Sequence, residues 1–328
     1  MCAYNLLNKL TKYSLILVLL FAMAEHVTGQ DNSPSAGLDF LNIGPNARTL
    51  GLSEAYAASL NGAADIYTNP ANQVFEPSSS IGANFTLWIT DSQISHASAN
   101  FKKKNHAFGF GVISSNLTGF EARTQPGPSN GDFSINYLSV AGSFAYKLGN
   151  YAAGATIQFL NEDFLEDNAS GFAFNFGLSG NWFDDRIRTG FVIQNAGEMG
   201  ELNEVSTQLP TNFRVGIKAD LIKFTTSDAY GNIPVLLRVY GDFIEPLFDE
   251  IDNSTITVDQ ADARFNIGTS VLFADMFDLR FGFNSDDSAR KFSSGFGVNY
   301  ESFRFNYAVV PFEVGFDTVH SFGLEYFF

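Results

Sequence analysis

Residues 170–179 read Ser-Gly-Phe-Ala-Phe-Asn-Phe-Gly-Leu-Ser. Phe172, Phe174, Phe176 and Leu178 alternate with Gly171, Ala173, Asn175 and Gly177. Successive side chains of an extended strand point to opposite faces, so one face here is large and apolar and the other small or polar. The same period of two runs through Phe213, Val215, Ile217 and Ala219, through Phe277, Leu279, Phe281 and Phe283, and through Phe303, Phe305, Tyr307 and Val309. Working outward predicts fourteen strands, at 80–90, 94–104, 106–115, 133–147, 150–161, 170–183, 186–195, 210–222, 233–245, 260–274, 277–285, 291–300, 302–311 and 317–328. Helical periodicity is confined to residues 46–60.

The connections fall into two alternating classes. Lys103–His106, Leu148–Asn150, Asp184–Asp185, Asp275–Met276 and Tyr300–Glu301 mark tight turns. Longer polar links lie between them, at 116–132, 162–169, 196–209, 246–259, 286–290 and 312–316. The stretch 223–232 breaks the alternation, being long where a short turn is due. Short turns at one rim and longer loops at the other are the pattern of an outer-membrane barrel. A soluble sandwich also alternates, but its polar face is rich in Lys, Glu and Thr, whereas here Gly, Ala, Ser and Asn dominate. In hydrocarbon every backbone polar group must be paired within the protein, so a spanning sheet must close. The expected fold class is therefore all-β, a transmembrane outer-membrane β-barrel of about 14 antiparallel strands, in the bacterial outer membrane.

Composition narrows the function classes. The 328 residues carry 19 Lys plus Arg and 35 Asp plus Glu, a net charge of −16, with 35 Phe and 29 Gly. That charge argues against a nucleic-acid partner, which needs a basic face. The single Cys excludes a disulfide scaffold. Lys9 and Lys12 precede the apolar run Ser14–Ala24, the pattern of a secretory signal peptide and too short a run to span a bilayer as a helix. Cleavage is placed after Gly29, with Ala24 the other option, which divides the chain into signal peptide 1–29, N-terminal hatch segment 30–79 and barrel 80–328. At the other end Phe322, Leu324, Tyr326 and Phe328 share a face and the chain ends on Phe. A terminal aromatic on an amphipathic strand resembles the signal read by the outer-membrane insertion machinery.

The segment before the first strand holds Phe40-Leu41, Ala47-Arg48, Gly51, the small-residue stretch Glu54–Leu60, Asp65 and Asn69-Pro70-Ala71. Asn46 is a predicted cap for a helix running to about Leu60, and Asn69-Pro70 turns the chain. This ordered set resembles the PorV/PorQ family of outer-membrane proteins, and more widely the FadL-like long-chain fatty-acid transporters, which also carry Asn-Pro-Ala in an N-terminal hatch. The resemblance implies a fourteen-stranded barrel with that segment folded into or under its lumen. It also implies association with the type IX secretion system, in which PorV-like members help deliver cargo from the translocon to the cell surface. Arg48, Gly51, Asp65, Asn69, Pro70 and Ala71 are then structural hatch residues, with Arg48 and Asp65 candidates for tying the hatch to the lumen.

Catalytic signals are sparse. His26, His96, His106 and His320 are scattered, with no metal-ligand spacing. Gly109-Phe110-Gly111 and Gly295-Phe296-Gly297 sit inside alternating strands and are not phosphate loops. His96 with Ser95 or Ser98 is a feeble basis for a Ser–His pair. The acidic runs Glu162-Asp163, Glu166-Asp167, Asp249-Glu250-Ile251-Asp252 and Asp286-Asp287 read as solvated loop surface. The expectation is a non-enzymatic accessory of type IX protein secretion, with no cofactor and no metal. Its expected partners are outer-membrane lipids, the insertion machinery, and a translocon or cargo protein. The alternative is a FadL-like channel for a hydrophobic small molecule. A small, polar lumen is expected from the inward phase of the strands, which favours the first.

Overall fold

The computed structural model describes residues 38–89, 92–122, 131–164, 167–202, 205–228, 231–247, 249–251, 258–260, 263–285, 289–312 and 317–328. Fourteen strands form a closed antiparallel barrel. They are β1 Ser80–Leu87, β2 Gln93–Lys103, β3 His106–Ala122, β4 Gly131–Leu148 and β5 Tyr151–Phe164. Next come β6 Asp167–Trp182, β7 Ile187–Met199, β8 Asn212–Asp228 and β9 Gly231–Pro246. The last are β10 Arg264–Phe273, β11 Phe277–Asn284, β12 Phe292–Tyr300, β13 Phe303–Val310 and β14 Val319–Phe327. Each strand pairs with its chain neighbours, and β14 closes the sheet on β1 with Phe322 opposite Phe85.

The alternation sorts as the pattern of two requires. On β6, Phe172, Phe174, Phe176 and Leu178 are exposed, and Ala173, Asn175 and Ser179 are buried. Phe277, Leu279, Phe281 and Phe283 on β11 and Phe265 and Ile267 on β10 continue the exposed face around the wall. A continuous apolar belt of this extent on a closed barrel is covered by lipid, not water. The chain is thus a bacterial outer-membrane barrel. Its short turns, including Lys104–Asn105, Gly149–Asn150 and Glu301–Ser302, define the periplasmic rim. All three use left-handed residues, with φ of 54° at Lys104, 62° at Gly149 and 51° at Glu301.

Two expected boundaries are corrected. The long link 223–232 does not exist. β8 and β9 pair from Asn212↔Pro246 to Asp228↔Gly231, so only residues 229–230 separate them, at the rim where a short link is due. A register shift between Asp220 and Ile222 kinks this hairpin and hides its alternation in the sequence. On the other rim, β3 to β6 run further than expected, leaving 123–130 and 165–166 between them. Two short hairpins, Glu201–Leu202 with Val205–Ser206 and Asp249–Ile251 with Val258–Gln260, stand outside the barrel in links expected to be irregular. The side chains of the second, and Glu166, Asp286 and Asp287, lie outside the described residues.

The segment before β1 fills the lumen. It contains 3-10 turns at Asp39–Asn42, Gly62–Ile66 and Pro70–Val74 and one α-helix, α1, at Ala47–Leu50. Asn46 caps α1, its Oδ1 accepting from Thr49 N–H at 3.0 Å. The helix expected to reach Leu60 stops after one turn, because Ser53 and Glu54 take φ of 47° and 62° and redirect the chain. Leu38 and Phe40 lie toward the long-loop rim, where Asn42 meets Asn212 at the start of β8, and the segment descends to join β1 at the periplasmic rim.

Candidate functional site

The lumen and its hatch form the candidate site. An irregular segment buried in a barrel cannot satisfy its own backbone, so its N–H and C=O groups need partners from the wall. Wall side chains supply them around the circumference. Ala47 N–H donates to Asn84 on β1 at 2.9 Å, and Ala63 N–H to Glu325 on β14 at 2.8 Å. Tyr56 and Ala57 N–H both reach Asp242 on β9 at 2.9 Å. Thr156 on β5 donates to Ile66 O at 2.8 Å, Gln194 on β7 to Tyr67 O at 2.9 Å, and Asn100 on β2 to Gln73 O at 3.1 Å. Inward glycines let the two backbones meet. A Cβ on Gly154 would sit 2.6 Å from Ala71 N, and one on Gly268 would be 3.0 Å from the Leu52 side chain. The glycines of the polar phase are therefore clearance for the hatch.

Each hatch residue has a definite place. Arg48 Nη1 donates to Asp278 Oδ2 on β11 at 2.9 Å, and its Nε to Leu60 O at 3.1 Å. Gly51 lies against Gly295 of β12. Asn69 caps the turn that Pro70 opens, accepting from Ala71 N–H at 3.1 Å, and donates to Ala57 O at 2.8 Å and to Ser179 on β6 at 3.3 Å. Asp65 does not tie the hatch to the wall. Its Oδ1 accepts from Asn61 and Thr68 within the hatch, and burial followed by the neighbouring Glu76 carboxyl raises its pKa well above the usual range. At the C-terminus Phe322, Leu324, Tyr326 and Phe328 are all exposed on the outer face.

The lumen is not uniformly small and polar, as the strand phase led one to expect. Leu38, Phe40, Ile66 and Tyr67 of the hatch pack with Ile94, Ile113, Leu160, Ala173, Met199 and Leu209 in one apolar cluster along β2 to β7. Phe40 stacks on Tyr137 of β4 at 5.3 Å between centroids, 20° from parallel. The opposite wall is charged. Arg48 and Arg280 share Asp278, each at 2.9 Å. Arg214 sits 3.6 Å from Asp242, donates to Glu54 O at 2.7 Å and lies 3.9 Å over the Tyr56 ring. Arg214 is 0% and Arg280 1% exposed, so these are fully dehydrated guanidinium groups. The sequence signal for them was present: Arg214, Asp242, Asp278 and Arg280 all occupy the inward phase of otherwise apolar strands.

The wall beside the apolar cluster carries a bulge. Phe174↔Ala196 is followed by Phe176↔Ile193, so Asn175 alone faces Gln194 and Asn195. Asn195 is left-handed, φ 55°, and its N–H is accepted by the Asn175 side chain at 2.8 Å instead of a strand carbonyl. Two small cavities, of about 20 and 10 Å³, lie between hatch and wall, one beside Asn61 and His96, the other beside Glu54 and Ser293. His96 and Ser98 make no hydrogen bond to one another, and Tyr67 meets the His96 ring edge-on at 5.6 Å. His320 bonds Tyr307 OH at 2.7 Å, and His106 lies at the periplasmic rim. Among the described residues no group of three or more His, Cys, Asp or Glu is placed to hold a metal ion.

No family model matches the chain, and no curated protein matches it in sequence. Solved structures do match in fold. One is the CymD monoaromatic hydrocarbon channel, at 12% identity over 90% of this chain and 99% of that one, TM-score 0.60. Another is the toluene transporter TodX of Pseudomonas putida, at 12% identity over 87% and 97%, TM-score 0.57. The chain thus shares the barrel fold of these two proteins over 87–90% of its length.

Proposed function

We propose that this barrel is a channel through which a hydrophobic small molecule crosses the outer membrane, acting by binding and passage and not by catalysis. The observation that carries the reading is the apolar cluster of Leu38, Phe40, Ile113, Leu160 and Met199 toward the long-loop rim. Displacing Leu38 and Phe40 from this packed cluster would give a hydrophobic solute a place to leave water, and the bulge at Asn175 and Asn195 lies beside it in the wall. The fold shared with CymD, a monoaromatic hydrocarbon channel, and TodX, a toluene transporter, supports the same reading. The test is uptake of radiolabelled hydrocarbons by cells carrying the wild type, a deletion, or Phe40→Asp, with heat-modifiable migration confirming that the variant barrel is folded. Uptake that falls in the deletion and in Phe40→Asp supports the channel. Uptake unchanged by the deletion refutes it.

A second reading, the non-enzymatic accessory of type IX secretion with a translocon or cargo protein as partner, has its own support. The hatch set from Phe40-Leu41 to Asn69-Pro70-Ala71 resembles the PorV/PorQ family, and the cavities between hatch and wall, about 20 and 10 Å³, have room for little more than a water each. A fully plugged lumen suits a barrel that works through its rim. Surface proteomics of the deletion strain separates the two. Loss of secreted cargo with hydrocarbon uptake intact moves the function to secretion.

A further inference from the structure

Four lysines gather at one corner of the periplasmic rim. Lys102 and Lys103 end β2, Lys104 forms the turn with Asn105, and Lys147 lies near the end of β4, its N–H donating to Asn105 O at 2.7 Å. Two of them turn inward: Lys102 Nζ donates to Glu76 O, and Lys147 Nζ lies 4.8 Å over the Phe75 ring of the hatch. Lys103 and Lys104 are exposed. In a chain of net charge −16 this is a local excess of positive charge, and among the described residues none of the four is in an ion pair.

Register fixes the depth of this corner. Phe101↔Phe108↔Phe144 forms one rung on the lipid-facing side, with Phe108 and Phe144 rings 5.2 Å apart and Phe101 6.2 Å from Phe328. The next outward rung is Lys103↔His106↔Tyr146, about 7 Å further along the strands. Aromatic rings mark the edge of the hydrocarbon, and long amphipathic side chains just beyond it keep their stems on apolar surface while the charge reaches the headgroups. Lys103, with Lys104 beside it, is thus held at the depth of headgroup phosphates, and Tyr146 adds a hydroxyl on the same rung.

We propose that the Lys103–Lys104–His106–Tyr146 corner is a binding site for the phosphate of an anionic phospholipid in the periplasmic leaflet. The occupant is a lipid and not an acidic protein because Lys103 and Tyr146 project from the wall face continuous with the aromatic belt. This inference rests on the barrel's placement in the membrane and is independent of what the lumen carries.

The experiment is native mass spectrometry of the barrel released from nanodiscs of phosphatidylethanolamine with a minor fraction of phosphatidylglycerol. Wild type is compared with Lys103→Gln/Lys104→Gln and with the single Lys104→Gln at the exposed turn. Lys223→Gln, elsewhere toward the same rim, is the control. Wild type and the control should retain phosphatidylglycerol at least several-fold above its bulk fraction. The double variant should fall to bulk, the single variant should lie between, and high salt should lower the wild-type enrichment. Equal retention by the double variant, or no enrichment in wild type, would overturn the site. So would an acidic protein lost from pull-downs of the variant while lipid retention stays at bulk.

Discussion

The two sides of the lumen solve the burial of the same hatch by different physics. Along β2 to β7 the hatch offers Phe40, Ile66 and Tyr67 to Ile113, Leu160 and Met199, and apolar contact adds to the neutral hydrogen bonds from Asn100, Thr156 and Gln194. Along β8 to β11 it offers Arg48, Glu54 and backbone N–H groups to Asp278, Arg214 and Asp242, and charge geometry does it. Apolar burial is non-directional and tolerates small displacements. Dehydrated ion pairs do not, because the desolvation cost is recovered only when every partner is in place. The apolar side is therefore the one that can yield to a guest or to a shifted Phe40. The charged side is the fixed frame against which the hatch is held.

The contrast is most directly broken at Asp278. Asp278→Leu strands Arg48 and Arg280 without a counter-charge, and the barrel should lose about 3–5 kcal/mol, read as a lowered urea midpoint for folded, heat-modifiable protein. Adding Arg48→Met and Arg280→Met should restore most of that loss. If the single variant were as stable as wild type, the charged side would not be the frame.

Leu160→Ala on the apolar side should cost about 2–5 kcal/mol, and here a hydrocarbon added to the detergent solution should recover part of it by refilling the space. The same additive should do nothing for Asp278→Leu. Recovery in both variants would erase the distinction between the sides. Gly154→Val tests clearance in place of chemistry: its Cβ would press on Ala71 N and the Pro70 carbonyl carbon, at about 1–3 kcal/mol for overpacking. Faster proteolysis within residues 60–76 would show that the hatch, not the wall, gives way.

The smallest effect concerns pH. Asp65 is buried against Glu76 and its pKa is raised well above 3.8. The folded chain therefore keeps a proton that the unfolded chain releases, so the associated stability is present at low pH and is lost as pH rises through the folded value. Asp65→Asn should flatten that decline when unfolding midpoints are compared between about pH 4 and pH 8. A variant that declines as steeply as wild type would place the proton elsewhere.

The barrel was legible because a strand in lipid writes its two faces into every second residue, as in Phe172 to Leu178. The hatch was legible as a segment but not as a structure. Nothing local in Ser53-Glu54 announces the left-handed turn that ends α1, which is stabilised by partners such as Ser293 and Arg290 some 240 residues away. The apolar cluster was missed because its wall members, Ile94, Ile113, Leu160 and Met199, are single large residues in an inward phase otherwise small or polar, and they become a cluster only when the hatch adds Leu38 and Phe40. The β8–β9 hairpin was misread because one extra residue at its bulge shifts the phase, and Lys223 to Asn232 then looks like a loop.

The wall partners of the hatch backbone come from both ends of the chain, Asn84 on β1 and Glu325 on β14 among them, and the inward glycines leave its backbone no slack. One peptide thus bonds both edges of the β1–β14 closure and acts as a rivet across the seam of the cylinder.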